Sequence, residues 1–113
     1  RAAELSSAGL RRLFVSGTAS IAEDGRSAHV GDARAQIALS MEVVEAILAS
    51  RQMSFADISR AVAYFKSGAD VPLFLQWLVQ HDLQSLPVVC TRSDICRDDL
   101  LFEIEVDAVQ SDS

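Results

Sequence analysis

Two glutamates spaced two residues apart in an apolar run, Leu100-Leu101-Phe102-Glu103-Ile104-Glu105-Val106, are the groups in this chain best suited to moving a proton. A carboxylic acid donates a proton near neutral pH only where a poorly solvated cleft keeps it protonated. Such a general acid contributes about 10²–10⁴-fold to a rate. Periodicity alone also allows a plainer role for both, as a solvated strand face or as partners of an arginine across an interface.

The other reactive side chains are few. Cys90 and Cys96 do not make a disulfide framework, and they read as reduced thiols. Cys96 could shape a pocket or act as a weak acid, or be an inert loop cysteine. Arg92 and Arg97 could each hold a carboxylate or simply be paired at the surface. Ser16-Gly17-Thr18-Ala19 could present N–H groups and a hydroxyl to an anion or carbonyl oxygen. The same glycine also fits a β-bulge. Trp77 and Phe74 read as core. His29 and His81 are far apart, and no Cys-x2-Cys or His-x3-His spacing exists, so no metal or other cofactor is expected. A Ser/His/Asp set, a phosphate loop and a Glu-x-x-His motif are all absent.

These groups must be positioned by a chain of 113 residues with 10 Lys+Arg, 16 Asp+Glu and a formal charge of -6. Half of the residues are apolar, enough for one packed domain or a part of a larger chain. The acidic balance, with Lys66 the single lysine, argues against nucleic acid as a partner. No apolar run approaches the roughly 20 residues of a membrane span. No signal peptide is recognisable and residue 1 is Arg, so the chain reads as a cytoplasmic protein that is excised or trimmed.

Residues 1–12 read as a lead-in, 13–109 as the domain and 110–113 as a polar tail. Leu13 to Ser16 and Thr18 to Ile21 are predicted strands. Ala22 to Arg26 is predicted to turn at its Asp-Gly pair. Asp32 caps a long helix with Ile37, Met41, Val44 and Leu48 inward and Arg34, Glu42 and Glu45 outward. Ser54-Phe55-Ala56-Asp57 is a capping-box pattern ahead of a strand over 58–66. Pro72 sits in the first turn of a second helix, which carries Leu73, Trp77, Leu78 and His81 on one side. Strands follow over 86–91 and 100–109. In the last, Leu100, Phe102, Ile104, Val106 and Ala108 share one face.

The predicted order β-β-α-β-α-β-β places two helices on one side of a mixed sheet, an α+β two-layer sandwich. Ala61, Ala63 and Phe65 alternate with Val62 and Tyr64, and Leu101 and Val109 lie opposite Phe102. The sheet is therefore apolar on both faces, and the face without helices is expected to meet copies of the chain or a second domain.

Several motifs stand in the order seen in the RidA/YjgF (endoribonuclease L-PSP) family. They are Leu13-Phe14-Val15-Ser16-Gly17, Gly31-Asp32 with Gln36, Phe55-Ala56-Asp57-Ile58, Pro87 and Phe102-Glu103-Ile104-Glu105. The resemblance runs from Leu13 to Val109. It implies a chorismate-mutase-like, YjgF-like α+β fold and a homotrimer whose sheets line a central barrel. Clefts at the subunit interfaces would then bind a small carboxylate metabolite. The deaminases of that family carry an arginine in a Pro-x-Arg pattern that clamps the substrate carboxylate. Here the stretch is Pro87-Val88-Val89-Cys90-Thr91, so Val89 stands where that arginine would be. Imine deamination is disfavoured for that reason, and ribonuclease action for want of a basic groove.

A narrower resemblance joins Ser16-Gly17-Thr18-Ala19-Ser20-Ile21 to the stretch from Asp94 to Glu105. Both are similar to the C-terminal domain of chorismatases, enzymes about three times this length that remove the pyruvyl group of chorismate. It implies that Glu103 is the general acid for enol-ether cleavage. It also implies that Cys96, seven residues earlier, matches the cysteine of the subtype forming hydroxybenzoate. Ser16, Gly17, Thr18, Ala19, Val89 and Arg97 are the expected substrate contacts. The competing expectation is a non-catalytic oligomerisation or ligand-sensing module.

Overall fold

A computed structural model describes residues 2–7, 9–22, 24–95 and 97–111. Strand β1 (Ala2–Ser7) forms a hairpin with β2 (Leu10–Thr18), and helix α1 (Ala33–Ser50) follows. After a short 3-10 turn (Phe55–Asp57) come β3 (Ile58–Phe65), α2 (Val71–Gln80), β4 (Val88–Arg92) and β5 (Phe102–Ser111). The sheet order is β1-β2-β5-β3-β4, with β3 and β4 parallel and the other pairs antiparallel. This is the expected α+β mixed sheet with two helices.

Local chemistry explains where these elements begin. The Asp32 carboxylate accepts from the Ala35 N–H at 3.0 Å and caps α1. Ser54 and Asp57 form the reciprocal capping box expected of them. Pro72 occupies the first turn of α2, where its missing N–H is not needed. Alternation puts Leu13, Val15, Ala61, Ala63, Phe65, Phe102, Ile104, Val106 and Ala108 on the helix side. There they bury against Ile37, Met41, Val44, Leu48, Phe74 and Leu78. The rings of Phe65, Phe74 and Phe102 meet at 5.3–5.9 Å, within the range for favourable tilted and edge contacts.

Three expectations need correction. The segment over 2–7 is a strand, held where the Arg11 Nε donates to the Glu4 carboxylate at 3.0 Å. That bond lowers the Glu4 pKa from its ordinary value, more than burial raises it. The stretch from Thr18 to Ile21 is not a second strand. A bulge interrupts the ladder between Val15 and Thr18, β2 ends at Thr18, and Ile21 makes a single bridge to Ser27 across the expected turn. At the other end, Gln110 belongs to β5 rather than to a tail. It accepts from Arg11 and donates to the Gln52 carbonyl, each at 3.0 Å.

One buried polar side chain governs how the loop before β5 is placed. Gln36 is fully buried in α1. Its Nε2 donates to the Asp99 carbonyl at 3.0 Å and the His29 carbonyl at 3.2 Å, and its Oε1 accepts from the Leu101 N–H at 2.8 Å. A leucine of similar size would strand the Asp99 carbonyl and the Leu101 N–H, while the His29 carbonyl keeps the Asp32 N–H. Gln36→Leu is therefore expected to cost about 3 kcal/mol of stability in urea unfolding. A loss under about 1 kcal/mol would show that the hub holds nothing.

Candidate functional site

The helices cover only one side of the sheet. On the other side lie Leu5, Leu10, Phe14 and Val89, exposed by 71, 44, 41 and 63 per cent. Four of the seven exposed large hydrophobics of the described residues share this face. A single chain thus leaves an apolar sheet surface bare, as the alternation implied.

The cleft of interest opens on that bare face. It measures about 210 Å³ and is lined by Gly17, Tyr64, Ser93, Asp94, Ile95, Glu103 and Glu105. Tyr64 of β3 stands opposite Glu103 of β5 in the antiparallel register, and Val62 stands opposite Glu105. The β2 bulge brings Gly17 beneath Glu103. A Cβ built on Gly17 would fall 1.8 Å from the Glu103 Oε2, so the carboxylate rests on ground that only glycine leaves open. Glu103 makes no hydrogen bond or ion pair among the described residues. Phe102 and Ile104, its neighbours in sequence, point into the core on the opposite face. The surroundings of the carboxylate are instead Gly17, Tyr64 and Glu105.

Tyr64 was not singled out from the sequence. Its hydroxyl donates to the Glu105 Oε1 at 2.8 Å. That bond, then burial, then the Glu105 charge raise the phenol pKa above its ordinary value of about 10. A raised pKa means that the proton is held more tightly in the folded state. The stability it brings is complete below about pH 10 and is lost as pH rises through the folded value. Tyr64 is the only tyrosine, so the ultraviolet tyrosinate band reports it alone. The band should titrate at higher pH folded than in urea, and Tyr64→Phe should flatten the alkaline fall in stability. Coincident titrations would remove the bond to Glu105.

The remaining candidates are dispersed. Ser16 lies in the bulge, where its carbonyl accepts from the Thr18 hydroxyl at 3.0 Å. Thr18 and Ala19 line a separate hollow of about 160 Å³ with Ile21 and Val43. Val89 faces the bare side opposite Val62. Arg97 turns away and donates to the Gly25 carbonyl at 2.7 Å and the Ser27 hydroxyl at 3.4 Å. Cys96 lies outside the described residues. Cys90 packs toward the core, and burial pushes its thiol pKa up, which suits an inert role. Arg92 pairs in register with Phe65, on the face opposite Val89. Lys66 spends its ammonium on the carbonyls of Arg97 and Asp98, and so pins the loop leading to β5. A larger groove of about 390 Å³ runs between α1 and α2, where His81 stacks on Trp77 at 4.0 Å. None of the candidate residues lines it.

The architecture is the YjgF fold. A YjgF-family protein from Neisseria meningitidis superposes with a TM-score of 0.77 over 97% of this chain and 87% of that one, at 20% identity. Within this fold the chain is similar to a chorismatase: TM-score 0.83, 28% identity, 96% of this chain and 35% of that one. In sequence it is 30% identical to a 3-hydroxybenzoate synthase of Streptomyces hygroscopicus, over 83% of this chain and 30% of that protein. The chain thus spans about a third of the length of these two relatives. No protein-family profile matches it. Among the described residues, no helix is long and apolar enough to cross a membrane.

Proposed function

We propose that this domain assembles through its bare sheet face into a homotrimer. Its Glu103 clefts, closed at the seams, bind a small carboxylate metabolite and cleave an enol ether of the chorismate type. The observation that carries this reading is the Glu103 carboxylate laid over Gly17, on a face that one chain leaves uncovered. The likeness to a chorismatase and a 3-hydroxybenzoate synthase supports the choice of substrate class.

The chemistry follows from the placement. Glu103 delivers its proton to the methylene carbon of the enolpyruvyl group, and an oxocarbenium ion forms at the ether carbon. Water adds there, and the resulting hemiketal collapses to pyruvate and the ring alcohol. The carboxylate left on Glu103 regains a proton from the water that added. Burial of the seam excludes bulk water from the reacting groups. Incubation with chorismate should release pyruvate, read by coupled reduction with lactate dehydrogenase. Absence of pyruvate at high protein concentration would end the enzymatic reading.

One observation favours a second reading. The cleft of a single chain holds three carboxylates (Asp94, Glu103 and Glu105) and no cation. Val89 offers no donor where the deaminases have their arginine. A ligand-sensing module without turnover would bind metabolite, release no pyruvate and tolerate Glu103→Gln.

A further inference from the structure

We propose that Arg12 acts across the seam: it enters the Glu103 cleft of a second copy and clamps the carboxylate of the ligand bound there. This rests on the assembly and carboxylate binding proposed above, and it answers the charge problem of the cleft. A carboxylate ligand approaching Asp94, Glu103 and Glu105 finds no cation in the cleft to hold it. The nearby cations are committed elsewhere, Lys66 and Arg97 to backbone carbonyls and Arg92 on the other face of the sheet.

Arg12 is the complementary anomaly. It is exposed in the bare face, in register with Leu5 on one side and Val109 on the other, and flanked along β2 by Leu10 and Phe14. Every other described Lys or Arg has a hydrogen bond or ion pair; Arg12 has none. Once a second copy covers this apolar face, an unpaired guanidinium there would be costly. Its own chain cannot relieve it. Asp107, the nearest acid by register, is taken by Arg60 at 3.2 Å. Glu103 lies six residues along β5 from Val109, on the order of 20 Å away and beyond an arginine's reach. A second copy brings an acidic cleft to a face that carries an unmatched arginine. A guanidinium is also the group that holds a carboxylate through two parallel N–H bonds.

The test is a cross-link followed by kinetics. A chain carrying both Arg12→Cys and Glu103→Cys is treated with a short flexible bismaleimide, because the ligand-wide gap exceeds the reach of a direct disulfide, and its linked peptides are mapped by mass spectrometry. Bismaleimide links joining 12 to 103 between chains are expected. If the doubly substituted protein keeps the assembled mass and forms no such link, the inference is overturned while the assembly stands. If the wild-type protein is a monomer, both fall. In the wild-type background, Arg12→Met should raise the KM for chorismate about 100-fold with kcat much less affected. Unchanged KM in an active, assembled Arg12→Met protein would equally overturn the clamp.

Discussion

Glu103→Gln is expected to lower pyruvate release from chorismate by about 10²–10⁴-fold, with no change in assembled mass or unfolding midpoint. Glutamine keeps the size and polarity of the side chain and loses only the transferable proton. Glu103 makes no hydrogen bond or ion pair among the described residues, so no network collapses with it. A conservative change that removes turnover and spares the fold would identify a proton donor rather than a prop. Retained turnover in Glu103→Gln would remove this residue from the chemistry.

Gly17→Ala is expected to cost about 10²-fold in kcat/KM while altering stability by less than about 1 kcal/mol. The two numbers separate because of what the new methyl group meets. It would fall 1.8 Å from the Glu103 Oε2 and 2.9 Å from its Cδ, so the carboxylate must swing away. That atom is the end of a flexible side chain, and Gly17 is not among the glycines with positive φ, so the backbone accepts alanine. Gly68→Ala is the matched control. Nothing lies within 4 Å of the added carbon there, and both fold and activity should persist. Full activity in Gly17→Ala would mean that the carboxylate works from another position.

The sequence displayed those parts of the fold that follow local rules. The β5 alternation, the α1 stripe with its Asp32 cap and the Ser54-to-Asp57 box are each short-range patterns, and each forms as read. Strand β1 escaped because Ala-Ala-Glu-Leu-Ser-Ser has little strand propensity; it exists by pairing with β2 and through the Glu4–Arg11 contact. Gln36 was visible as part of a motif, but its role depends on two loops, one of them more than sixty residues away in sequence. Within the site, Glu103 was legible from type and surroundings. Tyr64 was not, because facing Glu103 and bonding Glu105 are consequences of the β3–β5 register, which no local pattern specifies. Arg97 looked available because its commitment to Gly25 is a contact over 72 residues.

All of this turns on whether the uncovered side of the sheet is a meeting surface. The mass in solution, by sedimentation equilibrium at micromolar concentration, tests it most directly. The account predicts a single species at three times the 12.2 kDa chain mass. A stable species at 12.2 kDa, with Phe14 and Val89 left in water, would contradict it.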